Sequence, residues 1–348
     1  MSIERPASDM KPYESLTDRG KARRLRKLAL TALEQYKFDV GDLTLIGVHT
    51  NTLFRVRTAR GSSYIIRICT PRWRTDIDLR SEVMWLQALG RDTDISVPQP
   101  QPARNGDFIV IAGANNVPGE RRCVVMSWIP GILLGKRLTE ENLYKMGVLF
   151  AQLHDQAAGF SPPEGFTQRK MDTIYARGEE DVLFSDLCRE MFSSDARRTI
   201  DQTRAKVNKA FEHLYADSTG LRVIHNDLWH DNIKIHHGRL HPFDFEDTIW
   251  GYPVQDIAMA LQDLMVDVKP AEFEALQRAF RKGYESRCAW PEVYEGQIDT
   301  FRAGRMLWVA NYVARYQREH LREHIDWLAR QFKGFLDTGV IRKQELPG

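Results

Sequence analysis

At 348 residues, with 43% apolar and 28% charged side chains, the chain is long enough for a sizeable core and two lobes. Its formal net charge of +2 excludes a generic polyanion binder. Four scattered cysteines, Cys69, Cys123, Cys188 and Cys288, form no Cys-x-x-Cys pair, which argues against a disulfide framework or a zinc site and predicts reduced thiols. The opening Met-Ser-Ile-Glu-Arg-Pro lacks an apolar signal core, and no later run is long enough to span a bilayer, so the expectation is a cytoplasmic protein with no membrane partner.

Residues 1–16 read as a loose arm. Helical periodicity begins at Thr17 and continues to Tyr36, and its Lys and Arg cluster is expected to be a solvated face rather than a nucleic-acid contact. Residues 43–70 read as a β-meander, with strands at 43–46, 52–57 and 64–68 and a turn at Gly61-Ser62. The tip between the first two strands, Gly47-Val48-His49-Thr50-Asn51, offers backbone N–H groups and small polar side chains for phosphates. Glycine at such a tip is ordinarily turn geometry. A helix over 76–89 carries Glu82. Val97-Pro98-Gln99-Pro100 then marks a loop before strands at 108–111 and 123–126, and the second of these runs into Ser127-Trp128-Ile129-Pro130-Gly131.

A helix starting at Thr139 ends in Ala151-Gln152-Leu153-His154, where His154 is expected to be a packed structural histidine. Residues 157–193 look irregular, and 195–215 form an amphipathic helix. The most informative stretch is 223–247. Apolar pairs there bracket polar clusters: Val223-Ile224 before His225-Asn226-Asp227, Ile233 and Ile235 around Lys234, and Phe243 and Phe245 around Asp244. That alternation predicts short half-buried strands, with His237-Gly238 as a tight hairpin turn. Asp227, Asn232 and Asp244 then sit on or beside loops held by rigid elements. Hard oxygen donors in this arrangement suit Mg²⁺, and phosphoryl transfer needs a carboxylate to orient the attacking hydroxyl. Five histidines crowd the same stretch (His225, His230, His236, His237 and His241), but hairpin alternation sends them to different faces, so zinc is not expected. Residues 270–348 read as helical, with Phe301, Arg305, Trp308, Tyr312 and Arg315 recurring at i+3 or i+4 spacing. A stripe of this kind is usually core, although its exposed end is placed to wall a pocket, and its arginines sit poorly with a cationic acceptor.

The run His225-x-Asp227-x-x-x-x-Asn232, followed by Asp244-Phe245, resembles the catalytic loop and metal-binding segment of the kinase fold. It is most similar to the aminoglycoside/choline-kinase-type phosphotransferase (APH) family. That branch also holds type II homoserine kinases, fructosamine kinases and the bacterial stress-response kinase. The chain departs from the branch's usual loop with Asn226 in place of Gly and with Pro242-Phe243 before Asp244; neither change removes a functional side chain. The resemblance implies an α+β, bilobal protein-kinase-like fold with a small antiparallel β N-lobe and a larger, mainly helical C-lobe. It divides the chain into an N-terminal arm and helix (1–40), a nucleotide-binding N-lobe (41–127) and a C-lobe with the catalytic loop and substrate pocket (128–348).

By the same resemblance, Asp227 accepts the acceptor's proton, His225 supports the loop, and Asn232 and Asp244 hold Mg²⁺. Arg67, in the context Tyr64-Ile65-Ile66-Arg67, grips ATP phosphates and is steadied by Glu82. Gly47, Thr50 and Asn51 lie over the phosphates, and backbone groups at Ser127 and Trp128 meet the adenine edge. Asp256, in a segment like the branch's Gly-x-x-x-x-Asp-Leu-Ala, is placed to accept N–H groups of the catalytic loop. Only eleven residues separate Asp244 from Asp256, which leaves no room for a phosphorylatable activation loop. The expected activity is therefore transfer of the ATP γ-phosphoryl group to a small-molecule hydroxyl (amino alcohol, sugar or aminoglycoside class). A protein Ser/Thr kinase is the alternative, and an idle nucleotide-binding scaffold ranks last.

Overall fold

The computed structural model describes residues 11–343; most of the expected N-terminal arm, residues 1–10, lies outside them. The chain divides into two compact units. One takes the chain up to Arg91 together with Val97–Ile129 and Pro162–Phe166, and the other takes Asp92–Ser96, Pro130–Ser161 and the chain from Thr167 onward.

In the first unit, helix α1 (Asp18–Leu33) starts where Thr17 Oγ1 accepts the Gly20 N–H at 3.3 Å. Ala22, Leu25, Leu28, Ala29, Ala32 and Leu33 form its buried stripe, while Arg23, Arg26 and Lys27 face solvent. The stripe packs on an antiparallel sheet of β1 (Val40–Val48), β2 (Thr52–Thr58), β3 (Ser63–Ile68), β4 (Ile109–Ala112) and β5 (Arg121–Ser127), in the order β1-β2-β3-β5-β4. Phe54, Val56, Ile66, Ile68 and Val125 supply the sheet's side of this core. The predicted meander is therefore present. Its first strand starts three residues earlier than the apolar pattern shows, because Val40 still pairs with Thr58. Helix α2 (Asp76–Asp92) runs three residues past the predicted end.

The second unit holds α3 (Glu140–Gly159), α4 (Ser194–Tyr215), α5 (Pro253–Asp267), α6 (Pro270–Glu285), α7 (Gln297–Tyr316) and α8 (Leu321–Thr338). Five short strands accompany them: β6 (Ile132–Leu133), β7 (Arg222–Ile224), β8 (Ile233–His236), β9 (Arg239–Pro242) and β10 (Ile249–Gly251). β6, β8 and β9 form one small sheet, and β7 pairs with β10. The β8–β9 hairpin closes as the sequence predicts. His236 pairs with Arg239, leaving His237 and Gly238 as a two-residue loop with φ of 48° and 74°, the backbone of a type I′ turn. Residues 167–193 are largely irregular but anchored. Asn311 of α7 accepts the N–H groups of Val182 and Leu183 at 2.9 and 3.0 Å and donates to the Glu180 carbonyl.

α3 and α6 touch backbone to backbone. A Cβ placed on Gly147 would lie 1.9 Å from the Phe280 carbonyl oxygen, and one on Gly283 would lie 1.9 Å from that of Tyr144. Among the described residues no helix is long and apolar enough to cross a membrane. No disulfide joins the four cysteines, three of which are buried.

The close α3–α6 contact makes a direct prediction. Gly147→Ala or Gly283→Ala should each cost about 1–3 kcal/mol, because helix backbone cannot yield as a flexible side chain does. Gly159→Ala, where nothing lies within 4 Å, should change stability by less than about 0.5 kcal/mol. Urea midpoints at unchanged slope measure both.

Candidate active site

The candidate site lies in the second unit and is assembled around the loop between β7 and β8. This loop leaves β7 at His225 and reaches β8 through a single helical turn at His230–Asn232. Asn226 takes φ of 65°. Apart from Gly, Asn is among the residues that best tolerate this left-handed backbone, which accounts for Asn standing where Gly is usual in the resembled family. Two buried groups fasten the loop. Asp256, in the first turns of α5, accepts the His225 N–H at 3.2 Å and the Asn226 N–H at 2.7 Å. The same carboxylate meets His154 Nε2 at 3.2 Å, and His154 Nδ1 meets the Tyr284 hydroxyl at 3.1 Å. His154 is thus the packed histidine the sequence predicts, and Asp256 binds the loop's backbone as expected.

His225 is completely buried, and burial pushes its pKa down, so the ring is neutral. Nε2 lies 3.2 Å from the Phe243 carbonyl, which can only accept, so the proton sits on Nε2. Nδ1 then accepts the Asp227 N–H at 3.4 Å. The ring therefore ties the Asp227 backbone to the residue before Asp244. Asp244 itself adopts φ of 65° at the start of the Phe245–Asp247 turn, and the Phe243 N–H donates to the Asn232 carbonyl at 2.9 Å.

Asp227 and Asn232 are brought together. Asn232 Nδ2 donates to the Asp227 carbonyl at 2.8 Å and to its Oδ2 at 3.1 Å. That commitment leaves Oδ1 of Asn232, a hard oxygen donor, for a cation. The Asp227 carboxyl is pushed up to about 7, chiefly by burial, with the Arg305 guanidinium opposing and the Asp247 and Asp263 carboxylates adding to the rise. Asn232 and Asp244 supply oxygen only, which is the donor chemistry Mg²⁺ takes. Among the described residues, no group of three or more His, Cys, Asp or Glu is gathered to hold an ion unaided. Of the crowded histidines, His225 acts as above and His230 Nε2 lies on Asp267 at 2.8 Å, but alternation does not separate the others: the His236 ring centre lies 4.0 Å from that of His237 and 6.1 Å from that of His241, because the hairpin register brings His236 and His241 to one face.

The sequence reading missed three side chains. Arg305 of α7 places Nη2 3.1 Å from Asp227 Oδ1 and 2.9 Å from Asp263 Oδ2. It is therefore neutralised within the protein and offers a cationic acceptor no bare positive charge, contrary to the objection raised from the sequence. Asp247, which faces Asp227 electrostatically, is paired with Arg177 at 3.4 Å. One signal in the sequence could have found Asp263: it lies seven residues after Asp256 and so shares that residue's face of a largely apolar helix.

In the first unit, Arg67 and Glu82 meet as the resemblance implies. The guanidinium grips the carboxylate with two hydrogen bonds, Nη1 to Oε1 at 3.0 Å and Nη2 to Oε2, and both residues are buried. One other expectation needs correction. Asn51 is turned inward and buried, and its side-chain oxygen accepts the Thr70 N–H at 3.0 Å, so it braces the sheet rather than facing phosphate. The N–H groups of Ser127 and Trp128 are also engaged, with the carbonyls of Gln99 at 2.9 Å and Ser63 at 3.1 Å. An adenine edge would be met by groups other than these two donors. Gly47 lies near the end of β1 and Thr50 in the middle of the β1–β2 turn, which is closed by the His49 N–H on the Asn51 carbonyl.

With this geometry in place, comparison with known proteins is informative. A family model described as the phosphotransferase enzyme family (APH) matches residues 42–290. Amicoumacin kinase of Bacillus subtilis (strain 168) is 26% identical over 229 residues, covering 64% of this chain. The chain spans 65% of that relative's length, just under two-thirds. Among solved structures, an amicoumacin kinase in complex with AMP-PNP, Ca²⁺ and Ami matches with a TM-score of 0.74 at 19% identity, over 95% of this chain and 98% of that one. A microcompartment-associated aminopropanol kinase matches with a TM-score of 0.76 at 20% identity, over 91% of this chain and 99% of that one. These likenesses show the α+β, protein-kinase-like fold expected from the sequence.

The neutral, buried His225 sets a pH dependence of stability. Its folded pKa lies below the ordinary value of 6.5, so the unfolded chain binds the extra proton and stability falls as pH drops below about 6.5. His241 and His324 are shifted the same way. The slope approaches about 1.4 kcal/mol per pH unit for each histidine that charges only on unfolding. Denaturation midpoints at pH 7.5, 6.5 and 5.5 should fall in that order, and His225→Gln should flatten the trend.

Proposed function

The chain belongs to the phosphotransferase enzyme family (APH), and on that premise we propose that it transfers the γ-phosphoryl group of magnesium-bound ATP to a hydroxyl of a small molecule. The acceptor class is an amino alcohol, sugar or aminoglycoside. The observation that carries this reading is the pairing of Asp227 with Asn232 on a loop fastened by Asp256 and His225. Asp227 takes the proton of the acceptor hydroxyl as its oxygen bonds to the γ-phosphorus, and the bond from that phosphorus to the bridging oxygen breaks to release ADP. A carboxyl raised to about 7 is matched to receiving a proton near neutral pH. Asn232 and Asp244 would hold the metal, which when bound would offset the negative charge of the phosphates. In the other unit Arg67, oriented by Glu82, is assigned to the phosphates.

Two further facts support a small-molecule acceptor. The interval after Asp244 is occupied by one short turn and by β10, which pairs with β7, so the segment is pinned rather than free to switch. The relatives named above are kinases of amicoumacin and of aminopropanol. Cysteines that form no disulfide fit the reducing environment of the cytoplasm.

An acceptor panel read by ADP release, holding aminoglycosides, homoserine, choline, aminopropanol and a generic protein, tests the proposal. Magnesium-dependent release is expected with a small alcohol and not with the protein. Asp227→Asn should lower turnover by about 10²–10⁴-fold while nucleotide affinity stays within about threefold. Full turnover in that variant, or label appearing on protein alone, would refute the assignment.

A further inference from the structure

Arg305 is the one side chain of α7 that hydrogen-bonds the carboxylate assigned as the base, and it does so across 78 residues of sequence. Four contacts define its place. Nη2 lies 3.1 Å from Asp227 Oδ1 and 2.9 Å from Asp263 Oδ2, Nε lies 3.5 Å from Asp263 Oδ1, and the guanidinium carbon sits 4.7 Å from the centre of the Trp308 ring. Asp263 therefore holds the guanidinium from α5, and the indole supports one of its faces. A planar fork held in this way has little freedom to rotate.

The effect falls on Asp227. Asn232 Nδ2 holds Oδ2 at 3.1 Å, and Arg305 Nη2 holds Oδ1 at 3.1 Å. With a fixed donor on each oxygen, the plane of the carboxylate is set. Each oxygen accepts through two lone pairs, so one acceptor direction on each stays available to a substrate hydroxyl. We propose that Arg305 is the positioning residue of the catalytic carboxylate and that Asp263 is the anchor that keeps Arg305 in place. This inference rests on the assignment of Asp227 as the base. The competing reading is charge compensation alone, in which any cation at position 305 would serve the cluster of Asp227, Asp247 and Asp263. The two readings differ because compensation needs a charge, whereas positioning needs the rigid fork and its anchor.

Steady-state kinetics on the best acceptor separate them. In Arg305→Met the expected result is a loss of kcat on the order of 10²-fold, the size of effect a misplaced reacting group produces, with nucleotide affinity within twofold and acceptor KM within about threefold. Arg305→Lys, which keeps the charge but not the fork, should recover less than half of that loss on a logarithmic scale. Asp263→Asn, which leaves Arg305 and Asp227 chemically intact, should lower kcat by roughly tenfold. Full recovery in Arg305→Lys, or unchanged kcat in Asp263→Asn, would overturn the inference in favour of compensation. A raised acceptor KM at constant kcat in Arg305→Met would overturn it in favour of acceptor binding. Should Arg305→Met fail to fold, as a melting curve would show, the Lys and Asn variants decide the matter. A wild-type enzyme inert toward the whole panel would overturn the base assignment itself, and the inference with it, whereas an active wild type that loses turnover in Asp227→Asn isolates the question to Arg305.

Discussion

The second unit depends on a stripe of carboxylates along one face of α5. Asp256, Asp263 and Asp267 are separated by seven and four residues, which returns each to nearly the same side of a helix with 3.6 residues per turn. Each carboxylate fixes a different part of the candidate site. Asp256 takes the backbone N–H groups of His225 and Asn226, Asp263 takes Arg305, and Asp267 takes His230. One rigid element thus determines where the loop starts, how Asp227 is held and where the loop ends. The arrangement also meets the demands of burial. Loop N–H groups removed from water need acceptors, and a buried carboxylate needs donors, so each group offsets the other's loss of hydration.

The same accounting explains the histidines. His225 is surrounded by groups that are complementary only to its neutral form, an acceptor at Nε2 and a donor at Nδ1. A protonated ring would face the Asp227 N–H with a second N–H, so the loop's shape and the ring's charge state are one constraint. His230 lies apart from the others on Asp267, whereas the rings of His236, His237 and His241 lie close together at the β8–β9 hairpin.

What could be read in the sequence, and what could not, follows from how local each interaction is. The 223–247 stretch was legible because its strands, turn and polar residues alternate within a single hairpin, and the turn at His237-Gly238 formed as its composition requires. Arg67 and Glu82 lie fifteen residues apart on adjacent elements and were reachable through resemblance to a known family. Asn51 was misread because Asn at a hairpin tip is equally at home facing outward or bracing a neighbouring strand, and the deciding partner, the Thr70 N–H, is supplied by tertiary structure. That the N–H groups of Ser127 and Trp128 are taken by the carbonyls of Gln99 and Ser63 was likewise out of reach, since both partners come from segments distant in sequence. Arg305 was visible only as a member of a helical stripe. No pattern within α7 reveals a partner 78 residues away.

That last partner changes the reading of charge in the site. From the sequence, arginines on α7 count against an acceptor that carries an amine. In the folded chain the Arg305 guanidinium lies between the carboxylates of Asp227 and Asp263, Arg177 is paired with Asp247, and Arg315 lies 3.6 Å from Glu179. Each arginine faces at least one carboxylate, and at Arg305 the carboxylates outnumber it. An amine brought near Asp227 would therefore meet a surface whose positive charges are already answered. Burial is what chiefly raises Asp227 toward neutrality, and the excess carboxylate adds to that rise, so the imbalance that tolerates a cation also favours the proton transfer assigned to Asp227.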